Sequence, residues 1–338
     1  MTPAVHFLPQ ALLNQFGEYP EKYRMLIWRF LLRLPENHDA FRNLVAKGVH
    51  PAFANLHKQF PMEDTRMFRR LRRILSALAF WSPVFGELPY LPALAFPFVK
   101  MFARDDLAAF EVLLSIFLNW GRRWVETFPH APMQVMGRVD ALMQFHEPEL
   151  HRHLRECGVD AQDYAWTLLR SGFTEVLSKS EWLRLWDHLV TDAANPEGIL
   201  HTVVAYMRFF RTTLLHIAAP KDGGGSARQE IVAFLRLQNA VDLRKLLRMK
   251  QRIQRDTPAE LESPGEWPGD STAAAASGPP FPVPQGDSYP AFLHFPKFVV
   301  NFQLQERDRI AAEEKELSRR TQVMDALRKK TYVGVPWL

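Results

Sequence analysis

The sequence contains one cysteine, Cys157, among 338 residues. A single thiol excludes an intrachain disulfide and a multi-cysteine zinc site, and it fits a reduced, intracellular setting. Glycine is scarce, at 16 residues, and β-branched runs are few. Strands are therefore not expected, and neither is a doubly wound nucleotide-binding sheet. Met1–Gln10 lacks both a basic n-region and a long apolar core, so no signal peptide is expected. Residues 76–99 carry only Glu87 as a charge, but Pro83, Pro89, Pro92 and Pro97 interrupt them. Such a run kinks repeatedly and loses backbone donors, which favours a buried core over a transmembrane segment. Charge of one sign is missing too: 42 basic residues face 37 acidic ones, for a formal net charge of +5. With no nucleic-acid-binding module, no nucleic-acid partner is expected. The chain has no internal repeat, and it reads as a cytoplasmic protein.

Material for a helical core is abundant. Hydrophobic residues make up 47% of the chain, with 25 Phe and 9 Trp. Glu21 to Leu34 places Met25, Trp28, Leu31 and Leu32 on one side of a helix that ends near Pro35. From Thr65 to Phe80, Met67, Leu71, Ile74, Leu75 and Leu78 form an apolar stripe, with Arg66, Arg69, Arg70 and Arg73 on another face. A proline-broken helix pair follows across 76–102, then a very apolar helix from Asp106 to Val125 with Asp105 as its N-cap. Met133–Phe145 and Pro148–Glu156 read as helices. Ser178 and Glu181 form a capping box ahead of Trp182, Leu185, Trp186, Leu189 and Val190. Pro196–Ile217 gives one more amphipathic helix.

Beyond that point the composition changes. Lys221–Ser226 reads as a flexible linker and Ala227–Arg255 as one long helix, arginine-rich from Arg244. Residues 256–290 hold eight prolines and are expected to be disordered. Gln303–Lys330 is charged and helix-prone, with Ile310, Leu317 and Met324 seven residues apart. That spacing fits either a coiled-coil partner seam or a surface helix.

Three chemical motifs fail on inspection. Gly223–Gly225 lacks the Lys-Ser/Thr pair of a phosphate loop. His146, His151 and His153, with Glu147 and Glu149, fail as a metal set because His151 and His153 point to different helix faces. Nothing near Cys157 supplies a charge to activate it. No metal or cofactor is expected.

The order of several landmarks is more informative. Arg24 and Trp28 precede Leu34-Pro35, and Phe60-Pro61 follows. Ser82-Pro83 and Gly86 come next, then Trp166, Phe173 and the triplet Leu185-Trp186-Asp187. This order resembles the TBC domain of Rab GTPase-activating proteins over Phe16–Ile217. The resemblance implies an all-α, multi-helix TBC fold over 11–219, a linker and long helix over 220–255, a disordered linker over 256–290, and a C-terminal helical segment over 291–338. The wording of Trp81–Lys100 and Tyr164–Leu169 is similar to a WD-repeat-bearing, centrosome- and cilium-associated branch, so the chain is expected to be a piece of a longer protein.

The family's catalytic arginine and glutamine have no counterpart. Counting back from Phe60-Pro61 puts Ala52, Asn55 and Lys58 where the family has Ile, Asp and the catalytic Arg. After Gly86, Glu87 replaces a tyrosine and Pro89 replaces the glutamine. The resemblance therefore implies a domain that recognises a GTP-bound Rab without accelerating its hydrolysis. Its candidate contacts are Arg66, Arg69, Arg70, Arg73, Glu87 and Tyr90. The alternatives are an active GAP with Arg66 as a displaced finger, and an interaction module gripped through 303–330.

Overall fold

The computed structural model describes residues 15–217, 226–262, 279–286, 288–289 and 312–324, together with 9, 11–13, 292, 305 and 309. Among these residues there are helices and turns and no strand. Two compact units divide the chain, Met1–Leu293 and His294–Leu338.

The first unit is built around an almost wholly buried helix. We label α1 Glu21–Leu31, α2 His38–Val45, α3 Leu56–Gln59, α4 Thr65–Trp81, α5 Leu91–Met101 and α6 Asp106–Asn119. Every residue of α6 from Leu107 to Asn119 is buried, as expected of a helix apolar all round. Asp105 caps it by accepting from the Ala108 N–H at 2.9 Å. Gly121 breaks the helix expected to reach Val125, and a 3₁₀ turn, Arg122–Val125, follows. On α4, Asp64 accepts from the N–H groups of Arg66 and Met67, and Leu71, Ile74, Leu75 and Leu78 turn inward. Ser82 is extended before Pro83, which ends α4 for a steric reason and opens a 3₁₀ turn, Pro83–Gly86. The break expected in the proline-broken helix pair falls at this turn.

The second half continues with α7 Met133–His146, α8 Pro148–Glu156, α9 Thr167–Arg170 and α10 Lys179–Thr191. It closes with α11 Gly198–Phe209, α12 Arg211–His216, α13 Ser226–Phe234, α14 Leu243–Asp256 and α15 Ala259–Glu262. The capping box of α10 is formed: Ser178 N–H donates to Glu181 and Glu181 N–H donates back to the Ser178 hydroxyl. The single helix expected over Pro196–Ile217 is split at Phe210. The long helix expected over Ala227–Arg255 is likewise two. Asn239 turns its amide back to the Phe234 and Leu237 carbonyls, and Asp242 starts α14 by accepting from the Lys245 N–H. Leu243, Leu246, Leu247 and Ile253 bury α14 against α11, leaving its arginines outside.

Asp187, on α10, joins the two halves. It is fully buried and accepts from the Tyr19 N–H at 2.9 Å, the Trp28 Nε1–H at 2.8 Å, and Arg24 Nε at 3.0 Å to both oxygens. Burial raises its pKa to about 6, while the Tyr19, Arg24 and Trp28 contacts pull it back. Nearby, Trp182 and Trp186 both donate to the Gly172 carbonyl, and Phe98 meets each ring edge-on. Gly172 has φ +55, and a Cβ there would lie 2.9 Å from Leu94 Cδ1, so the close approach requires glycine. Phe173 beside it is also left-handed, at φ 68, and fully buried.

The expected disorder of 256–290 is corrected for the described part. Asp256 ends α14, α15 follows, and Phe281, Pro284, Gly286 and Tyr289 hydrogen-bond to the helical body. These bonds come from side chains far away in sequence, which composition cannot reveal. Residues 263–278 lie outside the described residues.

In the second unit, 312–324 are helical and mostly exposed, with Leu317 at 66% and Met324 at 54%. Ile310 lies outside the described residues. No helix among the described residues is long and apolar enough to cross a membrane.

Candidate functional site

Two short segments form the site. The first runs through a 3₁₀ turn, Pro51–Phe53, into α3. Phe53 and Leu56 are buried and pin it, while Ala52, Asn55 and Lys58 face solvent. Phe60 ends it against Phe96 of α5, with ring centroids 6.0 Å apart. The second segment is the elbow from Ser82 to Tyr90. Val84, Phe85 and Leu88 anchor it inside, and Pro89 is exposed at its tip.

The segments touch at Gly86. A Cβ there would lie 3.2 Å from His50 Cε1 and 3.3 Å from Ala52 Cβ. His50 has little room to yield. Its N–H donates to the Ser76 hydroxyl, and its ring meets Phe80 edge-on at 4.9 Å. The glycine thus lets the two loops close on each other.

Two clefts meet at Ala93 of α5. One, about 610 Å³, is lined by Phe60, Phe96, Met101 and Trp182 among others. The other, about 330 Å³, lies beside Pro89, Tyr90, Trp124 and Trp166. Tyr90 points inward and meets Trp166 edge-on at 5.2 Å. Its hydroxyl is buried without a hydrogen-bond partner, and that burial drives its pKa upward. Tyr90, expected as a partner contact, is half-buried, so part of its ring and not its hydroxyl reaches the surface. Glu87 is half-buried on the same elbow.

The arginine face is corrected as well. Arg70 is only 11% exposed, donates to Asp106 Oδ1 at 2.6 Å and to the Phe102 carbonyl at 2.8 Å, and so fastens α4 to the start of α6. Arg73 joins the same carboxylate at 2.7 Å. Asp106 lies 36 residues beyond Arg70, out of reach of helical periodicity. Arg66 and Arg69 remain exposed, with Arg69 Nε donating to the Thr65 carbonyl.

The positions kept from the resemblance are structural. Arg24, Trp28, Leu185, Trp186 and Asp187 build the buried tie, Phe173 fills the core, and Trp166 backs the elbow. The three histidines considered for metal go separate ways. His146 meets Thr257, His151 meets Asp140 and His153 meets the Leu214 carbonyl. Cys157 is buried, and burial pushes its thiol pKa up.

A family model described as the Rab-GTPase-TBC domain matches residues 21–215, from α1 through most of α12. The chain belongs to the Rab-GAP TBC family. It is 41% identical over 318 residues to TBC1 domain family member 31 of Oryzias latipes, across 94% of this chain and 28% of that protein. For the Homo sapiens protein of that description, identity is 39% over 321 residues, across 95% and 28%. The chain therefore spans under a third of these relatives' length. The solved Ypt/Rab-GAP domain of Gyp1p shares the fold at a TM-score of 0.60 and 14% identity, covering 73% of this chain and 92% of that one. The all-α TBC fold expected from the landmarks is the fold observed.

Proposed function

We propose that this TBC domain binds a Rab-type small GTPase in its GTP form without activating hydrolysis, as an effector or scaffold. The observation that carries this is the pair of exposed residues on the two touching segments, Lys58 and Pro89. GTP hydrolysis on a Rab needs positive charge against the γ-phosphate and an oriented water, and a GAP arginine contributes roughly 10³–10⁵ in rate. Lysine supplies a point charge in place of a planar fork. Proline has no side-chain amide and no N–H, so it holds neither a water nor a switch loop. One cleft is lined by Pro89 and the other by Phe60, two residues from Lys58, and together they offer a contact surface, while Arg66 and Arg69 stand exposed early in α4.

The test is single-turnover GTP hydrolysis by a panel of Rab proteins with the domain in excess, alongside binding to their GTP and GDP forms. GTP-selective binding without acceleration supports the proposal. Acceleration overturns it in favour of a working GAP, and Arg66→Ala then checks the displaced finger, since Arg66 is exposed at the first turn of α4. Silence in both assays favours an interaction module acting through 303–330, where Leu317 and Met324 stand exposed. The ciliary or centrosomal setting is part of the proposal, and imaging of the tagged protein checks it.

A further inference from the structure

Residues 279–292 are proline-rich, and their described part is held by built polar contacts. Phe281 lies between Pro280 and Pro282, so its N–H is a donor that its neighbours lack. Asn119, buried at the end of α6, reads that residue on both sides. Its Oδ1 accepts from the Phe281 N–H at 2.9 Å and its Nδ2 donates to the Phe281 carbonyl at 3.1 Å. Asn37, between α1 and α2, repeats the device: it donates to the Pro284 carbonyl at 3.0 Å and accepts from the Gly286 N–H at 3.5 Å. Two side-chain amides thus replace a strand partner, which a segment missing proline donors could not pair with continuously.

Side-chain contacts fix the register. The Arg122 guanidinium sits over the Phe281 ring at 3.8 Å. The Tyr289 hydroxyl donates to the fully buried Glu111 at 3.0 Å, and its ring packs on Phe110. Glu111 also accepts from the Glu36 and Asn37 N–H groups, so the carboxylate that meets Tyr289 is also what orients Asn37. Phe292 meets Trp81 and Phe85 edge-on, at 5.4 and 5.3 Å. Phe85 is in the elbow that carries Glu87 and Pro89.

We propose that Asn37, Glu111 and Asn119, with the Trp81–Phe85 aromatic pair, form a recognition groove for an extended proline-rich peptide, and that the chain's own described residues 279–286, 288–289 and 292 occupy it in cis. The groove reads Phe281 through its backbone, Tyr289 through its hydroxyl and Phe292 through its ring, and an occupant braces the elbow. This inference stands apart from Rab binding, and loss of Rab binding would leave it intact.

The test severs the strap in the folded full chain, through a protease site placed within residues 263–278. The probe is a fluorescein-labelled peptide of sequence 279–292, read by anisotropy. In the uncut chain the tethered copy competes at an effective concentration on the order of millimolar, so cutting and removing the C-terminal fragment is expected to tighten peptide binding about 100-fold. Tyr289→Phe in the peptide, or Asn119→Ala in the groove, is expected to weaken it about 10-fold, on the order of one lost hydrogen-bonding group. Equal binding before and after cutting, or equal binding of a scrambled peptide, overturns the proposal. A second measurement needs no cut. In the full chain the Phe281 and Gly286 amides are expected to be protected from hydrogen exchange, with Asn119→Ala releasing Phe281 about 10-fold, for the same lost bond. Unprotected amides in the unaltered chain also overturn it.

Discussion

Asp187 and the pair Lys58 and Pro89 follow opposite rules within one domain. Asp187 is fully buried and bound by Tyr19, Arg24 and Trp28, so replacing any partner strands a polar group away from water. Lys58 and Pro89 stand exposed, on a short helix and an elbow anchored by Phe53, Leu56, Phe85 and Gly86. The frame is constrained by packing, while the exposed tips make no comparable demand on the fold. On the proposed reading of Lys58 and Pro89, such a fold keeps its frame residues while its exposed tips change, at little cost to stability.

The comparison breaks first at Asp187. Asp187→Ala leaves Arg24 charged and buried, and is expected to cost about 3–5 kcal/mol in denaturant unfolding. A loss under 1 kcal/mol would mean the tie is dispensable.

Next is a pH effect in the frame. His201 is 2% exposed, and burial, helped by the Lys250 charge, pushes its pKa from 6.5 down to about 4. Its folded pKa is depressed, so the unfolded chain binds the extra proton in between. Stability is then complete above about pH 6.5 and falls toward pH 4, by on the order of 3 kcal/mol. Asp187, raised to about 6, works the other way between pH 3.8 and 6. The measurement is therefore the difference between wild type and His201→Asn in thermal unfolding at pH 7 and 4.5, which cancels the Asp187 contribution. A parallel pH dependence in both proteins would remove His201 from the account.

At the tips, Lys58→Arg with Pro89→Gln is expected to leave the melting temperature nearly unchanged while accelerating hydrolysis by a bound Rab about 100-fold, near 2.7 kcal/mol. Unchanged hydrolysis despite retained binding would mean these positions are not where the fingers act.

The smallest effect sharpens the arginine face. Arg66→Glu with Arg69→Glu should shift stability by no more than about 0.5 kcal/mol while weakening Rab binding. Arg70→Ala should cost about 1.5–3 kcal/mol, because it removes the more buried of Asp106's two arginine partners and the donor to the Phe102 carbonyl. Equal costs would erase the distinction between the inner and outer arginines.

Local signals made much of the frame legible in the sequence. The Asp105 cap, the Ser178–Glu181 box and the inward stripe of α4 are written within a few residues of where they act. So was the order of landmarks, which led to the TBC fold. The helix break at Asn239–Asp242 was missed, although Asn and Asp there carried the signal for a turn and a new cap. The pairing of Arg70 with Asp106 and the strap over α6 gave no local signal at all.

The sequence by itself determined the helical class, the Asp105 and Ser178 caps and the family landmarks, and it puts Lys58 and Pro89 at the proposed finger positions. Those features depend on periodicity, on cap chemistry and on residue identity, each readable within about two helical turns. Tertiary structure alone decided which arginines remain available and that Gly86 closes one loop on another. It also decided that Phe281 finds Asn119 from 162 residues away. Such pairings form only once the apolar faces have packed, because packing brings those partners within hydrogen-bonding distance and excludes the water that would otherwise satisfy them.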